Sequence, residues 1–150
     1  MSMAKFRFRL EVSLRLAEQV LDKNRRLLAQ EVQAYQACTQ EVNERSNIWE
    51  EGIKGQRQAG LTKPDYLGIW QVYNQKKLEE LELSLERLTE QEKRVEGARQ
   101  EVVKAHRELE KYRKLKEKQA VRFKLEEQRK EQALLDEAGQ AIYSRSSSKG

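Results

Sequence analysis

The sequence predicts an all-α chain in which two long helices fold back as an antiparallel coiled-coil hairpin, the second helix overhanging the first. Three observations carry that prediction. Apolar and charged residues each make up 37% of the 150 positions. A globular domain of this length is about 45–50% apolar and about 25% charged, so no thick core can form. Apolar residues also recur at alternating steps of four and three over long stretches, which keeps one narrow stripe on one side of a helix. The pattern is interrupted once, by three glycines and the single proline of the chain. High charge and low hydrophobicity also fit disorder, and the periodicity is what argues against it. No 18-residue stretch is free of charge, so no segment reads as a membrane-spanning helix.

The first helix, about residues 8–57, follows a seam through Leu10, Leu14, Ala17, Leu21, Asn24, Leu28, Glu31, Tyr35, Cys38, Val42, Arg45 and Trp49. The turn, about 52–63, is placed on Gly52, Gly55 and Gly60, each lowering helix propensity by roughly 1 kcal/mol relative to Ala. Thr62 reads as the N-cap of the second helix, with Pro64 and Asp65 in its first turn. That helix, about 64–143, carries Leu81, Leu88, Val95, Val102 and Leu109 at intervals of seven. Leu78 and Leu85 accompany them; after a one-residue slip near Glu92, Ala98, Ala105 and Tyr112 take over, which predicts a discontinuity in the supercoil. Pairing outward from the turn sets residue 10 near residue 113, so everything after about Leu115 overhangs. Residues 1–143 form one domain, and the Ser/Gly-rich tail 144–150 is expected to be disordered. The first five residues lack the apolar run of a signal peptide, and the lone Cys38 cannot form an internal disulfide. Both point to the cytoplasm.

Charge is distributed unevenly. Residues 1–30 carry seven Lys/Arg against three Asp/Glu, and residues 104–130 carry eleven against five. Residues 41–101 carry ten against thirteen. Antiparallel pairing would gather the two basic segments at the open end, which then attracts an acidic partner in a salt-sensitive way. Charges such as Glu79, Glu80, Glu82, Glu86 and Glu90 with Arg87, Lys93 and Arg94 read as an ordinary solvated face. The cluster Lys111, Arg113, Lys114, Lys116, Lys118, Arg122 and Lys124 is dense enough to serve as a contact surface.

Catalysis has no foothold. His106 is the only histidine and sits at the edge of the seam, no metal shell or cofactor is implied, and the glycines lack the strand and the Lys-Ser/Thr pair of a phosphate loop. The chain is not expected to be an enzyme. Aromatic residues gather at the turn instead. Tyr66, Trp70 and Tyr73 line one face of the second helix, where they either close the hairpin on Trp49 and Ile53 or offer a partner patch.

The opening Phe6-Arg7-Phe8-Arg9-Leu10 with Leu14, Arg15 and Leu16 resembles the start of FliJ-type flagellar export proteins. So do Gly60-Leu61-Thr62 leading into Tyr66, Trp70, Tyr73 and Leu78-Glu79-Glu80-Leu81, and the closing Glu127, Glu131-Gln132 and Leu135-Asp136-Glu137. Gly68 and Lys77 depart from the stiffer, more apolar residues the resemblance leads one to expect. The resemblance implies a stalk-like component of the flagellar type III protein export apparatus, similar to the central shaft of rotary ATPases. Such a protein inserts into the hexameric export ATPase ring, promotes its assembly and activity, contacts the cytoplasmic linker of the export gate membrane protein, and escorts substrate chaperones. On this sequence it implies a ring-facing set of Arg7, Arg9, Arg15, Arg113, Lys114, Lys116, Lys118, Arg122 and Lys124. It also implies a gate-facing set of Tyr66, Trp70, Tyr73 and Lys77. The chain would be a monomeric hairpin at the inner-membrane base of the flagellum, with no nucleic acid bound. Two alternatives stand beside it: a structural coiled coil that dimerises, and a binder of nucleic acid or anionic membrane through the basic end. The residues do not separate a flagellar from a virulence-type secretion system.

Overall fold

The computed structural model describes residues 4–148. Two long helices account for nearly all of them and pack against each other as an antiparallel hairpin. Helix α1 runs Glu11–Thr62, a 3-10 turn Pro64–Tyr66 follows, and helix α2 runs Leu67–Ser148.

The turn lies later than the glycines suggested. Helix α1 passes through Gly52, Gly55 and Gly60 without interruption, and no glycine among the described residues has a positive φ. What ends α1 is Pro64. A residue before proline is pushed out of the α region by the pyrrolidine ring, and Lys63 accordingly takes φ −141° and ψ 70°. Its amide still closes α1 on the Ala59 carbonyl at 2.8 Å, and the Tyr66 amide closes the 3-10 turn on the Lys63 carbonyl at 3.1 Å. Thr62, expected to cap the second helix, ends the first instead, its hydroxyl donating to the Gln58 carbonyl at 2.8 Å. The expected ten-residue connection is therefore one residue and a single tight turn. At its other end α1 begins at Glu11 rather than near residue 8; the Glu11 amide donates to the Phe8 carbonyl at 3.1 Å. The expected disorder of 144–150 is met by helix as far as Ser148, and the last two residues lie outside those described.

Contacts divide the chain into two compact units, one of residues up to Val20 with Ala105 onward and one of Leu21–Lys104. In the second, the α1 seam holds as predicted and runs on through Gly52, Gln56 and Ala59, all buried or half-buried. The α2 seam differs. Leu85 is exposed, while Ser84 and Gln91 are buried at 1% and 8% exposure. With those two included, Leu81, Ser84, Leu88, Gln91, Val95, Ala98 and Val102 keep alternating steps of three and four, and the slip near Glu92 does not exist. Counting only apolar residues hid the two polar seam positions and created the discontinuity.

In the first unit, Phe8, Leu14, Ala17, Ala105 and Leu109 are buried, Leu109 at 1% exposure. Glu11 meets Lys116 at 2.9 Å, one helical turn beyond the predicted register, because the turn sits farther along the chain. The segment before α1 continues along α2, Phe6 lying against Phe123 with ring centroids 5.7 Å apart. The uncovered part of α2 thus starts near residue 128, not near Leu115; every described residue from there to Ser148 is exposed.

Candidate functional site

Two surfaces gather the residues that the sequence singled out, and each lies within one unit. The first is the aromatic face at the start of α2. Trp70 lies flat on α1 at Gly55, where a Cβ would stand 2.6 Å from the indole Cη2. One turn later Asn74 is buried at 4% exposure, its amide nitrogen donating to the Gly52 carbonyl at 2.9 Å and to Gln56 Oε1 at 2.8 Å. A Cβ at Gly52 would collide with that amide. The glycines therefore permit close helix approach. They are a seat for Trp70 and Asn74, the role the sequence had offered to Trp49 and Ile53.

Tyr73 meets Trp70 edge-on, 5.9 Å between centroids at 87°. Lys77 Nζ lies 5.3 Å from the Tyr73 ring centroid and 3.2 Å from Glu80 Oε2. Glu80 also accepts a hydrogen bond from Arg45 Nη1 at 2.8 Å. The hydrogen bond from Lys77, aided by the positive charges of Lys77, Arg45 and Lys76, holds the Glu80 carboxyl below its ordinary pKa against a smaller opposing effect of desolvation. Of the four residues proposed for this face, Tyr66 and Tyr73 are exposed, at 55% and 42%, while Trp70 and Lys77 are half-buried in intramolecular work. Sequence reasoning missed the aliphatic part of the patch: Ile69, Val72 and Leu61 are more exposed than either tyrosine. The signal was present, since Tyr66, Ile69 and Tyr73 keep the spacing of one helix face. Ile69, Trp70 and Tyr73 line a shallow cleft of about 230 Å³.

The second surface is the basic one. Its nine proposed cations fall into two groups. Arg15 pairs with Glu11 at 3.8 Å, Arg113 with Glu110 at 3.2 Å, and Lys116 with Glu11 at 2.9 Å. Lys114, Lys118, Arg122 and Lys124 are exposed and lie in no ion pair among the described residues, and the same is true of Arg7 and Arg9. Lys114, Lys118, Arg122 and Arg129, with Glu117 and Glu126 between them, surround Val121 and Leu125 in an open groove of about 750 Å³. Arg7 reaches the same stretch of α2, lining a smaller groove with Gln119, Arg122 and Phe123. Such a surface can bind an anionic partner. Among the described residues no cluster of His, Cys, Asp or Glu could hold a metal ion, and no helix is long and apolar enough to cross a membrane.

The sequence model of one family, that of the flagellar FliJ protein, matches residues 5–148. Among solved structures, a protein of Chlamydia trachomatis described as a YscO homolog superposes with a TM-score of 0.64 at 26% sequence identity, covering 97% of this chain and 100% of its own. No curated protein matches significantly.

Proposed function

The chain belongs to the flagellar FliJ protein family, and from that membership we propose that it is the stalk of an export ATPase. Membership makes it a component of a type III protein export apparatus. In our reading the unpaired cations of the basic surface enter the hexameric ATPase ring and promote its assembly and activity. A two-helix shaft cannot present equal faces to six subunits, so its entry imposes asymmetry on the ring. The aromatic face around Tyr66 and Tyr73, widened by Ile69 and Val72, meets the cytoplasmic linker of the export gate, and the protein works at the cytoplasmic side of the inner membrane. Escort of substrate chaperones belongs to the same reading.

The observation that carries the ring contact is the set of exposed, unpaired cations on α2 between Lys114 and Lys124, a cluster set apart from the ordinary i,i+3 pairs elsewhere on that helix. Charges already paired within the chain contribute little to recognition, whereas unpaired ones steer an acidic partner. The test is the turnover of the purified export ATPase with and without this protein. We expect stimulation that falls as salt is raised. Lys114→Glu with Lys118→Glu should remove most of it, while Glu79→Lys with Glu82→Lys should leave it within about twofold. An unchanged ATPase rate and oligomeric state on mixing would end the reading. Ile69→Asp with Val72→Asp should weaken binding to the gate linker and spare ATPase stimulation.

A further inference from the structure

Apart from the turn between the helices, residues 4–10 are the only described residues outside α1 and α2. No backbone hydrogen bond reaches this segment before the Phe8 carbonyl, which accepts from the Glu11 amide. Its attachment rests on two phenylalanines, Phe8 being buried and Phe6 lying against Phe123. Lys5, Arg7 and Arg9 alternate with them and are exposed. The segment holds no acidic side chain, and the stretch of α2 that it follows, 116–126, carries four Lys/Arg against two Asp/Glu. Two apolar anchors therefore hold a cationic segment on a cationic stretch of helix. Like charges within a Debye length, about 10 Å at 0.1 M salt, repel with only partial screening.

That repulsion converges on one place. Lys5 and Arg7 from the segment and Gln119 and Arg122 from α2 line a groove of about 380 Å³ whose aromatic wall is Phe6 and Phe123. Glu126 is the one acid in the lining, and none of the three cations lies in an ion pair among the described residues. We propose that this groove takes the carboxylates of an acidic peptide segment from a partner protein, and that their binding clasps residues 4–10 onto α2. A guanidinium matches a carboxylate edge with two parallel hydrogen bonds. A carboxylate held between Arg7 and Arg122 joins the two segments and replaces their repulsion by attraction. The neighbourhood selects the occupant. Glu117 and Glu126 interrupt the cations of this stretch, and Val121 and Leu125 stand exposed beside them. That mixture disfavours a uniformly charged phosphate backbone and suits a peptide that mixes acidic with apolar residues. A ligand that prefers the closed segment shifts the population toward it, so order at the N-terminus becomes a response to the partner. The inference does not rest on the stalk reading, because any protein offering such a segment closes the clasp. It also gives salt two opposite effects: without a partner salt closes the clasp, and with one salt weakens the binding.

The test uses the full chain with Cys38→Ser and spin labels on Ala4→Cys and Gln128→Cys, two exposed positions outside the groove lining. An unchanged circular dichroism spectrum verifies the fold. In about 0.01 M salt the distance distribution between the labels should be broad. In about 1 M salt, where the Debye length falls from about 30 Å to about 3 Å, it should narrow to one short distance. A synthetic peptide of repeated Glu-Glu-Leu should narrow it in the same way at low salt. Arg122→Ala should narrow it at low salt without peptide and bind the peptide about threefold to fivefold less well, the share of an exposed ion pair. A merely structural Arg122 would give a broader distribution in that variant, and that result would overturn the proposal. So would a distribution that ignores salt and peptide, or one that broadens as salt is raised. Narrowing by inorganic phosphate or single-stranded DNA at no more charge than the peptide supplies would overturn the peptide as occupant. ATPase stimulation plays no part in the readout, so the stalk reading and the clasp can fail separately.

Discussion

The two units solve one packing problem in opposite ways. Residues 21–104 keep a heptad seam but fill it repeatedly with polar side chains that bond across it. Gln91 donates to the Glu31 carbonyl at 3.0 Å and to its carboxylate, Asn74 reaches Gly52 and Gln56, Arg45 meets Glu80, and Arg87 meets Glu41 at 2.8 Å. The unit of residues 4–20 with 105–148 relies on Phe8, Leu14, Ala17, Ala105 and Leu109, sets Phe6 tilted against Phe123, and joins its helices through the ion pair of Glu11 with Lys116. A buried apolar side chain contributes about 1.5–3 kcal/mol. A typical hydrogen bond contributes a net of about 0.5–1.5 kcal/mol, yet a misplaced one leaves a buried group unpaired. The apolar unit is thus built for strength, the polar one for register.

The largest effect should come from the apolar side. Leu109→Ala removes the most buried aliphatic side chain of the first unit and should cost about 2–3 kcal/mol, the low end for a buried leucine because a two-helix seam can partly collapse. Hydrogen exchange should report the loss of protection mainly at residues 105–125, leaving 70–100 nearly intact. Equal loss across both regions would mean that the units do not differ as described.

Glu31→Leu with Gln91→Leu makes the polar unit resemble the other. Replacing both partners of a hydrogen bond by apolar groups is nearly neutral or stabilising, so the urea midpoint should hold or rise by roughly 1 kcal/mol equivalent. Distances between spin labels across the seam should broaden as register control is lost. A lower midpoint would show that the pair supplies strength as well.

Glycines separate the two uses of small residues. Gly97→Ala meets nothing within 4 Å and should gain about 0.5–1 kcal/mol in helix propensity. At Gly55 the added methyl meets the rigid Trp70 ring, and overpacking of about 1–3 kcal/mol should turn the same substitution destabilising. Thermal unfolding of the two single variants checks the opposite signs.

The smallest effect is that of Glu80. Its carboxyl has a lowered pKa in the fold, first through the Lys77 hydrogen bond. A depressed carboxyl contributes stability above its unfolded pKa and loses it as pH falls through the lower, folded one. Glu80→Gln should therefore be slightly less stable than wild type at neutral pH, with the difference closing in acid. A gap that persists or widens in acid would show that Glu80 acts by packing instead.

Much of this architecture was legible because heptad spacing survives the replacement of individual residues. The α1 seam, the antiparallel hairpin and the family resemblance all followed from positions whose residue type is apolar or nearly so. Gln91 and Asn74 were illegible for the same reason: a polar residue on a seam reads as a gap until its partner across the seam is known, and Gly52, Gln56 and Glu31 lie 22, 18 and 60 residues away; Ser84 hides differently, its hydroxyl donating within α2 to the Leu81 carbonyl. The turn was misplaced because glycine signals both a break and a close approach, and only α2 decides between them; Pro64 was the better marker. Among the candidate site residues, charge was readable but pairing was not, so Arg15, Arg113 and Lys116 could not be told from their free neighbours. Ile69 and Val72 were hidden by attention to aromatic side chains.

The cross-seam polar bonds also constrain how such a chain can change length over generations. Inserting one heptad into α1 between Arg45 and Gln56 would preserve every apolar face while displacing Arg45 by about 10 Å along the helix. Arg45 would leave Glu80 and arrive level with Arg87, like charge beside like. A second heptad placed in α2 between Asn74 and Glu80 would bring Glu80 back level with Arg45. Deletions and insertions in this part of the family should therefore come in matched pairs on the two arms, and a lone seven-residue gap should be selected against although it leaves the hydrophobic pattern untouched.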